Sequence, residues 1–253
     1  MKYLIRTICI LLTSFTTAFG QQQATNDSIY VIQDSVLIPT KSGVDISAII
    51  VRKKTNTSPS PAILFYTTYY QDASDAIFAK KSADRDYVGI VAYVRGIKTD
   101  LKNYKPFENE GTDIYDIIDW ISKQKWCNGS VGMYGGSYTG FSQWATVKNI
   151  HPALKTIVPQ VAVMPGYDFP MENNVPLSHI LSWSNDNIYK NKFLPRSLPF
   201  DYFNSGIAFN KIDSLAGYKN PIFKIGYLIH LMTVIGNQWC QRLPTMPKSI
   251  FPF

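Results

Sequence analysis

The sequence predicts an α/β fold with a mainly parallel sheet, and three observations predict it. Two continuous apolar runs, 61–66 and 87–93, read as strands buried on both faces, as the strands of parallel sheets are. Segments of helical spacing follow them, and strand–helix–strand–helix alternation implies a parallel sheet with right-handed crossovers. A third apolar run, 131–134, halts at Gly135 and Gly136, and after Ser137 an aromatic-rich stretch of helical character begins.

Taken in order, residues 1–20 read as a secretory signal. Lys2 and Arg6 give a positive start, 8–12 is apolar, and Ala18-Phe19-Gly20 is a small-x-small cleavage site. The apolar stretch is too short and too broken by Thr and Ser for a membrane span. The expected product is exported, periplasmic or secreted, with no membrane span once the signal is removed. Its loss takes away Cys9 and leaves Cys127 and Cys240, too few for a disulfide framework.

Residues 21–28 are polar. Two short β-type runs, 29–32 and 36–39, precede a turn at Lys41-Ser42-Gly43-Val44, and 45–51 alternates into another strand, so antiparallel strands are expected to open the fold. The 61–66 strand ends in Thr67-Thr68-Tyr69-Tyr70, and 73–84 has helical spacing. The 87–93 strand ends in Val94-Arg95-Gly96. Residues 112–123 read as a helix with Thr112 as N-cap and Ile114, Ile117, Ile118 and Ile121 on one face. After the strand and helix around Ser137, residues 154–159 read as the next strand. From Tyr167 the chain turns rich in Asn, Pro and aromatics, with 177–188 helical and 190–200 loop-like. The organisation expected is a signal at 1–20, a core at 21–166, a helical cap at 167–225 inserted over the sheet edge, and an atypical tail at 226–253.

With charged residues at 17% and aromatics at 14%, the composition is that of an ordered globular chain of 253 residues, enough for one good-sized core. The formal net charge of +7 falls to +5 (23 basic against 18 acidic groups) without Lys2 and Arg6. No Lys/Arg cluster is dense enough for a nucleic-acid face.

Strand, sharp turn and helix with a serine at the apex is where a nucleophile sits. The turn pushes the side chain into a strained, exposed position at the carboxyl edge of the sheet. The flanking glycines let strand and helix approach without Cβ clashes. The Tyr138 N–H, at the new helix N-terminus, points into the same space, ready to receive an oxyanion. A bare G-x-S is common, however, and Thr139 stands where the usual elbow has glycine, with Gly140 one residue late. An idle serine in a glycine-rich turn would read the same way. Catalytic groups are expected at strand carboxyl ends, at Tyr69, Arg95 and Ser137.

Three blocks carry a resemblance: Glu110-Gly111-Thr112-Asp113-Ile114-Tyr115-Asp116 with Trp120; Gln124-Lys125-Trp126-Cys127-Asn128-Gly129; and Gly132-Met133-Tyr134-Gly135-Gly136-Ser137-Tyr138-Thr139-Gly140 with Gln143-Trp144. Together they resemble the cocaine esterase/Xaa-Pro dipeptidyl-peptidase (CocE/NonD) branch of the α/β-hydrolases, over roughly residues 35–224, and that family's elbow has the same late glycine. The resemblance implies an α/β-hydrolase-like sheet with a helical cap. It further implies Ser137 as nucleophile, the Tyr138 N–H as one oxyanion donor and the Tyr69 hydroxyl as the other. A phenol suits that role because it donates from a rigid ring, although Tyr66 and Tyr70 stand in the same stretch. Relatives carry Asp where this chain has Tyr93, a departure expected to touch loop support rather than chemistry. The activity implied is cleavage of an ester or amide bond in a small-molecule or peptide substrate, with no cofactor and no metal. Ester, prolyl peptide and β-lactam amide all remain open as substrates, as does the oligomeric state. Trp183 and Tyr189 are pocket candidates, with core packing the alternative.

A serine nucleophile needs a base and an orienting carboxylate, in this fold on loops beyond the cap. His151 precedes the strand after the elbow helix, the wrong place for a base. His179 falls in the cap and His230 in an apolar run. Asp213 is the last acidic residue. Residues 226–253 hold no Asp or Glu, and relatives carry text of the form W-L-x-H-P-x-Y-D-x-Y-W at this point. Read one nucleotide earlier, permitted codons for 225–239 allow Trp-Leu-Ser-His-Pro-Ser-Tyr-Asp-Ser-Tyr-Trp-Gln. The expectation is a C-terminally truncated hydrolase, frameshifted near Ile225 and missing its final strands. Its activity would be impaired for want of base and carboxylate. The alternative is a catalytically inactive fragment or a binding module of hydrolase ancestry.

Overall fold

Six strands form one sheet in the order β1-β2-β4-β3-β5-β6, from β1 (Tyr30–Pro39), β2 (Asp45–Lys53), β3 (Ser60–Thr67), β4 (Val88–Tyr93), β5 (Cys127–Gly136) and β6 (Leu154–Gln160). The structure, a computed structural model, describes residues 27–165 and, beyond them, 168–169, 171–172, 175–177, 180–188, 194, 198–208, 211–217, 219–220 and 223. The expected signal, His179, Tyr189, His230, Cys240 and the 226–253 tail lie outside the described residues. Residues 1–30 form one unit, of which Asp27–Ile29 is a 3-10 turn, and residues 31–253 form another.

β2 runs antiparallel to β4, while β3, β4, β5 and β6 run parallel, with Leu64 opposite both Ile90 and Met133. The crossovers are α1 (Asp72–Ala83) between β3 and β4, α2 (Glu110–Ser122) between β4 and β5, and α3 (Tyr138–Ala145) between β5 and β6. β4 is buried at every position, as its apolar run predicts. β3 alternates instead: Ala62, Leu64 and Tyr66 are buried, while Ile63 and Phe65 are half-buried. The two short runs expected at the start merge into the single strand β1. β2 is buried from Ile46 to Val51 on both faces, and α1 packs against it.

Ile114, Ile117, Ile118 and Ile121 of α2 are all fully buried. Each such side chain contributes roughly 1.5–3 kcal/mol by leaving water. Thr112 is not the N-cap. The helix begins two residues earlier, with Asn109 at the cap position and the Thr112 hydroxyl donating back to the Asn109 carbonyl at 2.9 Å. The earlier start brings the Glu110 carboxylate to the Phe107 N–H at 2.8 Å, which satisfies a backbone donor just ahead of the helix.

After β6 come a two-stranded ribbon, β7 (Met171–Glu172) with β8 (Val175–Pro176), and helices α4 (Ile180–Ile188), α5 (Leu198–Ser205) and α6 (Ile212–Leu215). α5 begins inside the stretch expected to be loop, and the ribbon has no signal in the sequence. Among the described residues no helix is long and apolar enough to cross a membrane.

Candidate active site

β5 ends at Gly136, α3 begins at Tyr138, and Ser137 alone makes the turn. Its backbone sits at φ 55, ψ −123, a region that non-glycine residues rarely adopt. Two glycines permit the elbow. At Gly135 φ is +138, and a Cβ there would lie 2.4 Å from the Thr139 methyl; at Gly140 it would lie 2.8 Å from the Gln160 carbonyl oxygen and 3.0 Å from Ala162. The late glycine thus lets α3 pack on the end of β6. Gln143 ties the same junction, donating to the Gly135 carbonyl at 3.1 Å and accepting the Val158 N–H at 2.8 Å.

Ser137 is half-buried and Tyr69 likewise. The Tyr69 hydroxyl lies 3.1 Å from Ser137 Oγ. The indole N–H of Trp183, on α4, donates to that hydroxyl at 3.3 Å. An indole only donates, so the phenol accepts there, and its single proton is free to point toward Ser137. Tyr138 opens α3, where its N–H has no carbonyl one turn back to receive it. Tyr66 is fully buried and Tyr70 packs edge-on against Tyr93, so of the three tyrosines it is Tyr69 that meets Ser137.

The loop bearing Tyr69 is held at several points. The Tyr69 N–H donates to Thr67 Oγ1 at 2.9 Å, and the Thr68 and Tyr104 hydroxyls are bonded at 2.6 Å. The Tyr93 hydroxyl donates to Asp75 at 2.8 Å, and the same carboxylate oxygen accepts the Gln71 N–H at 2.9 Å. Tyr93 therefore supports the loop through Asp75, on the opposite side from the chemistry.

A cavity of about 230 Å³ opens on these groups, lined by Tyr69, Phe107, Ser137, Tyr138, Val163, Phe169 and Trp183. Phe107 stacks on Trp183 at 5.7 Å and packs against Tyr138 at 4.8 Å. The walls are aromatic and the polar groups are few and converge on Ser137, as in a small-molecule site. Tyr138 donates its hydroxyl to the fully buried Glu110, and burial keeps that phenol well above the usual tyrosine range, so it stays a donor. Burial likewise pushes the Glu110 carboxyl up to about 7, against the pull of its bonds from Tyr138 and Phe107.

Arg95 is not part of the site, although it stands at a strand's carboxyl end. It is 9% exposed, and its guanidinium forks onto Asp113 of α2, with Nε at 2.8 Å from Oδ2. His151 lies at the far end of the sheet, beside Asp119 at 3.4 Å and accepting the Ala153 N–H at 3.0 Å, a structural role. Asp213 is buried and accepts the Asn220 N–H at 3.0 Å. Among the described residues neither a histidine nor a carboxylate lines the cavity, and no cluster of His, Cys, Asp and Glu could hold a metal ion. Trp183, which the sequence left open between pocket and core, lines the pocket; its only signal was its place in the aromatic-rich stretch after Tyr167.

An α/β sheet with a serine raised on a strained strand-to-helix elbow defines the α/β-hydrolases, and the serine hydrolases among them. Residues 42–204 match the X-Pro dipeptidyl-peptidase (S15) family, and the chain belongs to that family of hydrolases. It is 28% identical over 169 residues to cocaine esterase of Rhodococcus sp. (strain MB1 Bresler), covering 62% of this chain and 29% of that protein. A CocE/NonD family hydrolase from Staphylococcus aureus superposes with a TM-score of 0.53 at 19% identity, over 62% of this chain and 33% of that one, a likeness of fold. An α-amino acid ester hydrolase shares 27% identity at a TM-score of 0.49, over 59% of this chain and 28% of that one. The chain spans a third or less of the length of these relatives.

Proposed function

We propose that the cavity at Ser137 is the acyl-transfer site of a serine hydrolase acting on esters or amides of small acyl groups, prolyl peptides included. Ser137 Oγ attacks the substrate carbonyl carbon and gives up its proton, which ends on the leaving alcohol or amine. The carbonyl oxygen takes up negative charge between the Tyr138 N–H and the Tyr69 hydroxyl, and its collapse breaks the bond to the leaving alcohol or amine. The result is an acyl-serine, which water then cleaves. The observation that carries this reading is the 3.1 Å approach of the Tyr69 hydroxyl to a serine held at φ 55. The aromatic lining favours an apolar acyl group of modest size. Export through the leader at 1–20 is part of the proposal, on the strength of Lys2, Arg6 and the Ala18-Phe19-Gly20 site.

A second reading, a binding module or inactive fragment, is favoured by the lack of histidine and carboxylate among the described cavity-lining residues. Without a base the serine keeps its proton, and much of the covalent chemistry is lost. Labelling with a fluorophosphonate probe separates the two. A probe adduct mapped to Ser137 and lost in Ser137→Ala supports the hydrolase. A folded chain that stays unlabelled supports the binding module.

A further inference from the structure

At the opposite end of the sheet from Ser137, a second cavity of about 220 Å³ lies where β3 and β4 begin, beside Trp126 just ahead of β5. β5 alone separates the two cavities by about 30 Å, at ~3.3 Å per residue. The walls of this cavity include Arg52, Lys125, Ser58, Ser60, Val88 and Trp126, and among the described residues no acidic one lines it.

Arg52 is the unusual group. Its side chain is half-buried on β2, and Nε is closed off from water without an acceptor. Among the described residues no carboxylate pairs with it. The contrast with Arg95 is direct, since that guanidinium is fully answered by Asp113. A guanidinium stays charged at any ordinary pH, and holding it partly out of water without an acceptor is costly. Lys53, the next residue, is already paired with Asp86 at 3.0 Å, whereas Lys125 at the rim has no ion-pair partner among the described residues. Two uncompensated cations thus face one cavity.

The cavity is also built in advance. The Ser60 N–H donates to the Trp126 carbonyl at 3.0 Å, tying one wall to the other. The Asn56 amide donates to the Asp86 carbonyl at 3.3 Å and fixes the loop between β2 and β3. The Ser60 hydroxyl makes only a 3.4 Å contact to the Ser58 carbonyl, so its proton is available to a better acceptor. Val88 and Trp126 add apolar surface to the lining.

We propose that this cavity binds a small organic oxyanion, a carboxylate or phosphate ester. Its charged end would meet Arg52 and Lys125, and its apolar body would lie against Trp126 and Val88. An oxyanion supplies the acceptor that Arg52 lacks, and a guanidinium takes two oxygens side by side. The site is independent of the acyl-transfer reading. Calorimetric titration of the full chain with sodium benzoate and with sodium phosphate, at constant ionic strength in chloride, tests it. Saturable one-site binding of at least one probe is expected, weakened about tenfold or more by Arg52→Met. Lys125→Met, at the exposed rim, should weaken it several-fold and serves if Arg52→Met fails to fold by circular dichroism. Benzoate alone would assign carboxylates, and phosphate alone phosphate esters. Absence of saturable binding for both probes, or binding that neither substitution weakens, overturns the proposal.

Discussion

The Tyr138 hydroxyl donates to the Glu110 carboxylate, and the same carboxylate oxygen accepts the Phe107 N–H at 2.8 Å. Two walls of the Ser137 cavity are thereby fastened to the first residue of α2. Phe107 itself sits at φ 71, a left-handed conformation that a bulky residue holds only when its surroundings over-determine it. Glu110 and the stacked ring of Trp183 supply that constraint.

This clamp predicts a pH signature. Burial pushes the Glu110 carboxyl from its ordinary 4.5 to about 7, so between those values the folded state holds a proton that the unfolded chain has released. The Glu110 contribution to stability is therefore fully present below about 4.5 and is lost as pH rises through about 7, a span on the order of 3 kcal/mol. Glu110→Gln removes the titration while keeping an acceptor for Tyr138 and Phe107. Melting temperatures measured from about pH 5 to 8 should fall less steeply in the variant than in the parent. Parallel profiles would remove Glu110 from the account.

A second prediction concerns the oxyanion donors. Tyr69→Phe leaves the ring and deletes the hydroxyl, so phosphonylation of Ser137 should slow by about 100-fold, the usual cost of one such donor. Trp183→Phe removes the bond that orients the phenol, together with part of the ring stacked on Phe107, and should slow it by roughly threefold to tenfold. Timed labelling with a fluorophosphonate reads both. A Tyr69→Phe variant that labels at the parent rate would show that the 3.1 Å contact has no part in the chemistry.

What the sequence made legible was local. The apolar runs of β4 and β5, the isoleucine face of α2 and the glycine-flanked Ser137 are short-range patterns, and each depends on neighbours within a turn or a strand. The Tyr69–Ser137 contact spans 68 positions; the strand order put both residues at the carboxyl edge of the sheet, and the family resemblance alone singled out the Tyr69 hydroxyl. Trp183 was visible as one of the aromatics after Tyr167, but its bond to Tyr69 depends on how α4 meets the sheet, which no local spacing encodes. Arg95 stood at the right edge of the sheet, yet Asp113 of α2 took its charge, a pairing decided by tertiary packing. Thr112 misled in the same way: the helix starts at Glu110, whose carboxylate reaches back to the Phe107 N–H.

The late glycine gives a third prediction. Gly140→Ala places a Cβ 2.8 Å from the Gln160 carbonyl oxygen and 3.0 Å from Ala162, and backbone on that side cannot yield as a flexible side chain would. α3 must shift away from β6, at a cost of about 1–3 kcal/mol. Because Ser137 caps that helix, labelling should fall along with the melting temperature. Unchanged stability with unchanged labelling would mean that the elbow tolerates a side chain at this point.

Ser137 itself gives the last prediction, through its strain. At φ 55, ψ −123 any side chain costs energy that glycine does not pay, on the order of 1 kcal/mol or more. Ser137→Ala keeps a Cβ and hence the strain, while Ser137→Gly relieves it, and both delete the hydroxyl. Comparing the two variants isolates the backbone term from the chemistry. The glycine variant should melt above the alanine variant by about 2–4 °C for each kcal/mol relieved, and neither should label. If alanine is as stable as glycine, the elbow stores no strain at Ser137. The serine would then be held up by its surroundings alone, and poise at the nucleophile would have to come from the Tyr69 and Tyr138 donors.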